Sequence, residues 1–249
     1  MGVKKLLIDL HCHTSGISHC CLLPAKEICK IALNAGFDGI CLTNHYCKRY
    51  VVDDNFDEWI EKYLHEYELT KQEGQKIGLK VFLGVEITAG FDERVHLLLY
   101  GVSPQFLREE KRLYDKNIKE LYEIAKKYSL VLVQAHPFRN SAQLLDTNYL
   151  DGIEINCHPM YPDTFSQKLE EISKENGLVL TCGCDYHGDT KYRAKGGTYF
   201  PDEVCSEKDL ANYLSHTEKI KLRIQEINAP TYYEKTFNIN RKVKKQALK

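Results

Sequence analysis

The 249-residue chain has no apolar run near the ~18 residues that a membrane-spanning helix needs, so no membrane partner is expected. Its first residues, Met1 to Asp9, carry neither the long apolar stretch nor the small-residue cleavage site of a signal peptide. Residue 6 is Leu, not the Ser or Thr of a myristoylation signal, and a cytoplasmic location is expected. Charge of one sign is not in excess. With 34 Lys+Arg against 35 Asp+Glu, the net charge of −1 lacks the basic footprint of a general nucleic-acid binder. Nucleic acid is then expected only as a short substrate. No low-complexity tract, internal repeat or linker interrupts the chain. The cysteines include no Cys-x-x-Cys pair, which excludes zinc-ribbon and thioredoxin-type readings, and none is followed by the Arg of a Cys-x5-Arg phosphatase loop.

What the chain does have is 10 cysteines and 10 histidines. The cysteines read as reduced thiols. Cys29, Cys41 and Cys182 sit in apolar runs, where Cys behaves as a small buried hydrophobe.

Strand-like and helix-like segments alternate. Apolar runs at Leu6–Leu10, Gly39–Thr43, Val81–Val85, Val95–Tyr100, Leu130–Val133, Gly152–Ile155, Leu178–Thr181 and Ile220–Ile224 predict buried strands. Helices are predicted from Pro24 to Gly36, over 55–73, as one long helix over 105–128, over 163–176 and over 206–215. Such alternation indicates a parallel sheet covered by helices, and this many units in one chain favours an α/β barrel. The barrel is expected to be one domain over residues 1–232, followed by a basic surface extension over 233–249.

The histidines fall where the strands end. His11 and His13 close the first strand, His45 follows the second, Glu86 the third, and His96 lies in the fourth. His136 follows the fifth, and Asp185 and His187 follow a later one. In parallel α/β folds these ends converge on one mouth. His11 and His13, at i and i+2 in an extended segment, point to one side as a chelating pair must, and Asp185 and His187 repeat that spacing. Neutral imidazoles gathered with carboxylates are the donors of a divalent metal, and this set exceeds what one tetrahedral ion can use. His65 and His216, within helical stretches, read as hydrogen-bonded or surface residues; His158 is strand-terminal and a candidate to line the pocket. By strand alternation Cys12 and Cys184 point away from the neighbouring donors.

The segments Asp9-Leu10-His11-Cys12-His13-Thr14, Thr43-Asn44-His45, Gly84-Val85-Glu86, Ala135-His136-Pro137 and Cys184-Asp185-Tyr186-His187 closely resemble the PHP (polymerase and histidinol phosphatase) superfamily, in order, across about residues 5–225. The resemblance implies a distorted (β/α)7 TIM-like barrel with two or three divalent ions (Zn, Mn or Fe) in a cleft at the C-terminal ends of its strands. Carried over, His11, His13, Glu86 and Asp185 would hold the first ion. Glu86 would bridge to a second, held also by His96 and His136, while His19, His45 and His187 would hold the third. Asn44 stands where family members usually carry Asp.

The chemistry implied is hydrolysis of a phosphate ester by a metal-bound hydroxide, with no side-chain nucleophile. The expected substrate is a small phosphomonoester such as histidinol phosphate, a nucleotide or a sugar phosphate. Arg139, three residues after His136, and Arg193, six after His187, are placed to grip its phosphate, with Lys195 a third choice. The alternatives are a 3'-5' exonuclease-type phosphodiesterase on short oligonucleotides, C–N bond hydrolysis by a similar metal barrel, and a non-catalytic metal-binding regulatory module.

Overall fold

Apolar runs buried on both faces pair side by side until the sheet curls toward closure, and that path sets the architecture. The computed structural model describes residues 5–51, 55–161, 163–188, 195–225, 231–241 and 243. Strand β1 (Lys5–Cys12) pairs in parallel with β2 (Gly39–Leu42), and β2 with β4 (Lys80–Thr88); the two-residue β3 (His45–Tyr46) adds to the far end of β4. Next come β5 (His96–Tyr100), β6 (Val131–Gln134), β7 (Gly152–Asn156) and β8 (Val179–Gly183). Beyond β8 the chain returns to β1. Cys12 bridges Tyr186 in parallel, the Asp185 amide donates to the His11 carbonyl at 2.8 Å, and the Cys184 amide donates to Asp9 Oδ1 at 2.9 Å. These contacts nearly close a barrel around β1, β2, β4, β5, β6, β7 and β8.

The barrel is not wholly parallel. β5 runs antiparallel to both neighbours, β4 and β6. The connection from β4 is too short for a crossover helix and turns back as a hairpin. This reversal matters for the site: His96 is the first residue of β5, so the amino end of that strand shares a mouth with the carboxyl ends of the others.

Helices α1 (Ala25–Asn34), α2 (Phe56–Ile77), α5 (Ser166–Asn176) and α6 (Glu207–His216) follow the sequence pattern closely. The expected long helix over 105–128 is instead two, α3 (Pro104–Glu109) and α4 (Ile118–Lys127). Arg112 between them takes a left-handed φ of 56°, and Asn117 starts α4 with a capping box to Glu120. Among the described residues no helix is long and apolar enough to cross a membrane.

Outside the barrel, β9 (Gly197–Pro201) lies antiparallel on β1, β10 (Lys219–Gln225) on β9, and β11 (Tyr232–Asn238) on β10. The Ile220–Ile224 run is therefore a flanking strand and not a barrel stave. The segment from Tyr233, read from sequence as an extension, begins inside β11, whose residues are exposed except Phe237.

Two buried tyrosines fix the strand ends relative to one another. The Tyr63 hydroxyl, from α2, lies within hydrogen-bond distance of the Asn44 and Gly84 carbonyls at 2.8 and 3.1 Å, next to His45 and Glu86. Across the barrel interior, the Tyr100 hydroxyl donates to the Leu10 carbonyl at 3.0 Å.

Candidate metal centre

Residues far apart in sequence meet at the mouth. His11, His13, Glu86 and Asp185 form one group of donor atoms, His45, Glu86 and His96 a second, and His13, His45 and His187 a third; within each, the donors lie within 4.8 Å of one another. Glu86 is fully buried at their centre. Its Oε1 lies 2.7 Å from His96 Nδ1 and 3.2 Å from both His11 Nε2 and His136 Nε2, while Oε2 lies 2.6 Å from His45 Nδ1.

The local backbone is shaped for this convergence. The pairing of β1 with β2 shifts register between Asp9 and Cys12, an irregularity of the kind that re-aims side chains beside a site. His136 and Asp185 take φ values of 28° and 53°, positive for residues with a Cβ, which costs on the order of 1–3 kcal/mol each.

Hydrogen bonds behind the imidazoles set their tautomers. A carboxylate or a carbonyl only accepts, so a ring nitrogen facing one carries the proton. His11 Nδ1–H donates to Glu154, whose oxygens lie at 3.0 and 3.1 Å, and His187 Nδ1–H donates to the Asp185 carbonyl at 2.8 Å. His13 Nδ1 meets the Ser18 hydroxyl at 2.9 Å. That hydroxyl donates to Asn44 Oδ1 and accepts from the His45 amide, so it accepts from His13 as well. Asn44 is held in turn by the Thr14 amide and hydroxyl. In the neutral imidazole each of these three histidines therefore keeps its lone pair on Nε2, as metal ligation requires.

The buried donors have no other use. His11 Nε2, His13 Nε2, His45 Nδ1, Glu86 Oε2 and Asp185 Oδ1 are buried without a well-formed hydrogen bond. Such groups are costly to bury unless something binds them. Burial, then repulsion from His187 and His45, pushes the His13 pKa well below the ordinary value, and burial with Arg139 nearby brings His136 down to about 4. Both are neutral, as ligands must be. For His11 burial also opposes charge, but Glu154, Asp185 and Glu86 together override it and hold its pKa well above the ordinary value. The carboxylates thus retain a proton that a divalent cation would displace. The donor set fits a cluster of divalent ions.

A cleft of about 380 Å³ opens over the cluster. Arg139 lines it, donating to Asp185 Oδ2 at 2.5 Å and to Asn156 Oδ1, with its guanidinium 3.9 Å from the centre of the Tyr161 ring. His158 lines it too, its ring 6.3 Å from that of His187. His65 and His216 are elsewhere, His216 bonding the Asn212 carbonyl within α6. Cys12 and Cys184 are buried and outside the cleft, the latter donating to the Gly196 carbonyl.

Two expected residues, His19 and Lys195, fall differently. His19 is not in the cluster. The chain turns at Ser18, which points inward to His13, so the exposed His19 ring packs 4.4 Å from Tyr50 and lines a neighbouring groove. Cys20 faces the cleft in its place, its Sγ 3.2 Å from His45 Nε2. Burial raises the Cys20 pKa, but contacts with the His187 and His45 side chains outweigh it and bring the thiol down to about 5. Lys195 does not line the cleft; its main chain is tied to Gln225 and Arg223 on β10, away from the mouth. Arg193 lies outside the described residues.

Sequence reasoning also missed Glu154, Asn156 and Arg94. Glu154 and Asn156 were readable as polar residues in an otherwise apolar strand. Arg94, on the β4–β5 turn beside the cleft and paired with Asp92, carried no signal of its own.

The PHP domain family model matches residues 9–234, and the chain belongs to that family. A two-domain protein from Bacteroides vulgatus, described as containing a predicted PHP-like metal-dependent phosphoesterase, superposes with a TM-score of 0.61 at 16% identity, over 96% of this chain and 84% of that one. PsfC from Pseudomonas syringae superposes with a TM-score of 0.55 at 13% identity, over 98% of this chain and 96% of that one. At such identities the likeness is one of fold: a PHP-type TIM-like barrel. No curated protein matches the sequence.

Proposed function

We propose that this chain is a metal-dependent phosphoesterase that hydrolyses a small phosphomonoester. The observation that carries this reading is the set of overlapping donor groups joined through His13, His45 and Glu86, with the Arg139 guanidinium on the same cleft wall. His11, His13, Glu86 and Asp185 would hold one divalent ion, Glu86 with His96 and His136 a second, and His45 and His187 donate to a third. Such ions supply acidification of a water and neutralisation of charge on phosphoryl oxygens.

The chain's own residues do the rest. Glu154, Ser18 and the Asp185 carbonyl hold protons on the outer ring nitrogens and so aim the inner lone pairs. Glu86 sits between histidines of every group and ties the positions together. Arg139 presents a planar fork matched to two non-bridging phosphate oxygens, stacked on Tyr161 so that little freedom is lost when it grips them. Ser18 beside His13 is buried with its proton given to Asn44, and Cys20 beside His45 is read below as a metal donor, so the nucleophile in this reading is water and neither side chain. A 380 Å³ cleft suits a small ester such as histidinol phosphate, a nucleotide or a sugar phosphate.

The test is metal analysis of the purified protein, then turnover on a panel of phosphomonoesters and a dinucleotide phosphodiester with Zn, Mn and Fe in turn. Turnover of a monoester that stops on chelation and returns with metal is expected. No turnover of any phosphate ester by the fully loaded protein would overturn the reading.

A further inference from the structure

We propose that Cys20 is a sulfur ligand of the metal position built by His45 and His187, at the point where the sequence pattern places His19. The proposal rests on the metal reading above and adds to it a soft donor.

Cys20 Sγ lies 3.2 Å from His45 Nε2 and is in contact with the His187 side chain. In a tetrahedral zinc site, sulfur at ~2.3 Å and nitrogen at ~2.0 Å from the ion lie about 3.5 Å apart, so the observed separation is close to one edge of a coordination shell. His187 has its Nδ1 committed to the Asp185 carbonyl, which leaves Nε2 as its ligating nitrogen. The donors of His13, His45 and His187 are mutually within 4.8 Å, and buried His13 Nε2 has no well-formed hydrogen bond. Cys20 therefore borders a group of nitrogens in which His13 Nε2 has no well-formed hydrogen bond.

His19 is turned away. It is exposed, packs on Tyr50 and lines the adjoining groove with Trp59 and Lys62. The reversal follows from the turn. Ser18 must point inward to bond His13, His45 and Asn44, and the Cys21 amide returns to the Ser18 carbonyl at 2.8 Å, which carries residue 20 back over the cleft.

A thiolate in this shell changes which metal it prefers. Thiolate with imidazole suits zinc or ferrous iron, whereas manganese favours oxygen donors. The position held by Cys20, His45 and His187 should therefore select zinc or iron over manganese, independently of the position around Asp185, whose donors are two imidazoles and two carboxylates.

The experiment is cobalt substitution of the full chain, read by absorption. Wild-type protein stripped and reloaded with Co²⁺ should show an intense near-ultraviolet sulfur-to-cobalt charge-transfer band, and so should H19A. C20S should lose the band and one equivalent of bound cobalt. C20H should regain that equivalent without the band, which shows that the loop still folds around an ion. Cobalt bound by the wild type with no sulfur band, or loss of the ion in H19A and not in C20S, overturns the Cys20 assignment alone. Failure of the wild type to bind cobalt at all overturns the metal reading beneath it.

Discussion

Glu154→Gln should detach the first metal position without disturbing the fold. Glu154 is fully buried, and its carboxyl stays ionised; burial opposes the charge, but His11 chiefly outweighs that and holds the pKa below the ordinary value. Its Oε1 and Oε2 lie 3.0 and 3.1 Å from His11 Nδ1, and Oε2 also accepts from the His136 amide at 3.1 Å and from Asn156 Nδ2 at 3.0 Å. A glutamine has the same shape but one oxygen. The two fixed donors claim that oxygen, so the new NH2 group faces His11 Nδ1. That group opposes the Nδ1–H and leaves it only a third share of the remaining oxygen, which favours moving the proton to Nε2, the nitrogen 3.2 Å from Glu86 and 3.3 Å from Asp185. A protonated Nε2 cannot ligate. The flipped amide is no better, because it leaves the His136 and Asn156 donors unsatisfied at about 1–3 kcal/mol each. Loss of such an orienting partner weakens metal binding roughly 10–100-fold, or about 1.4–2.7 kcal/mol. Titration against a chromophoric chelator reads this directly, with a thermal melt of the metal-free protein as the control for folding. Wild-type affinity in a folded E154Q protein would refute the tautomer argument.

Arg139→Ala should lower kcat/KM on the preferred phosphomonoester by about ten- to hundredfold, the worth of one charge-assisted phosphate contact, with metal content unchanged; equal kcat/KM in the two proteins would remove Arg139 from the phosphate site. Gly183→Ala would put a Cβ 2.5 Å from His11 Cβ and 2.7 Å from Glu154 Oε1, and should destabilise the chain by about 1–3 kcal/mol. A melting temperature equal to wild type would show that β8 and β1 do not approach as closely there as described.

The strand ends that carry the site were legible because two signals coincided at each: an apolar run buried on both faces, then a residue with no reason to terminate it other than chemistry. His11, His13, Glu86, His136 and Asp185 all met that test. His96 met it for a reason the sequence does not contain. It begins a strand that runs backward, and only the short Ala89–Val95 connection hints that no crossover fits. The split between α3 and α4 was readable in the Asn117–Glu120 box, but the apolar spacing of Tyr114, Ile118 and Leu121 runs straight across it. β9 escaped because Gly197 and Pro201 bound a run of only three strand-forming residues, and β11 because it is an edge strand exposed except at Phe237, where pairing and not composition makes the strand. At the turn after His13, the i+6 spacing names a residue but not a direction. Which of Ser18, His19 and Cys20 faces inward depends on three hydrogen bonds at the Ser18 hydroxyl, two of them to residues 26 and 27 positions away.

The electrostatics of the cluster explain why these departures still converge on one function. Glu86, Glu154 and Asp185 are each at most 4% exposed, and uncompensated buried carboxylates cost several kcal/mol apiece. The fold answers with the means it has: a proton retained on His11 and the Arg139 guanidinium laid against Asp185. Neither arrangement gives Glu86 Oε2 or Asp185 Oδ1 a well-formed hydrogen bond, and both remain buried among the ring nitrogens of the cluster. A packed core with no further role would be more stable with these groups replaced by apolar residues of similar volume. Divalent ions held there would displace the His11 proton and would give partners to the buried ring nitrogens and carboxylate oxygens that lack them. They would also compete with Arg139 for Asp185, leaving that guanidinium for an anion in the cleft, which is the group that the proposed phosphate ester would supply.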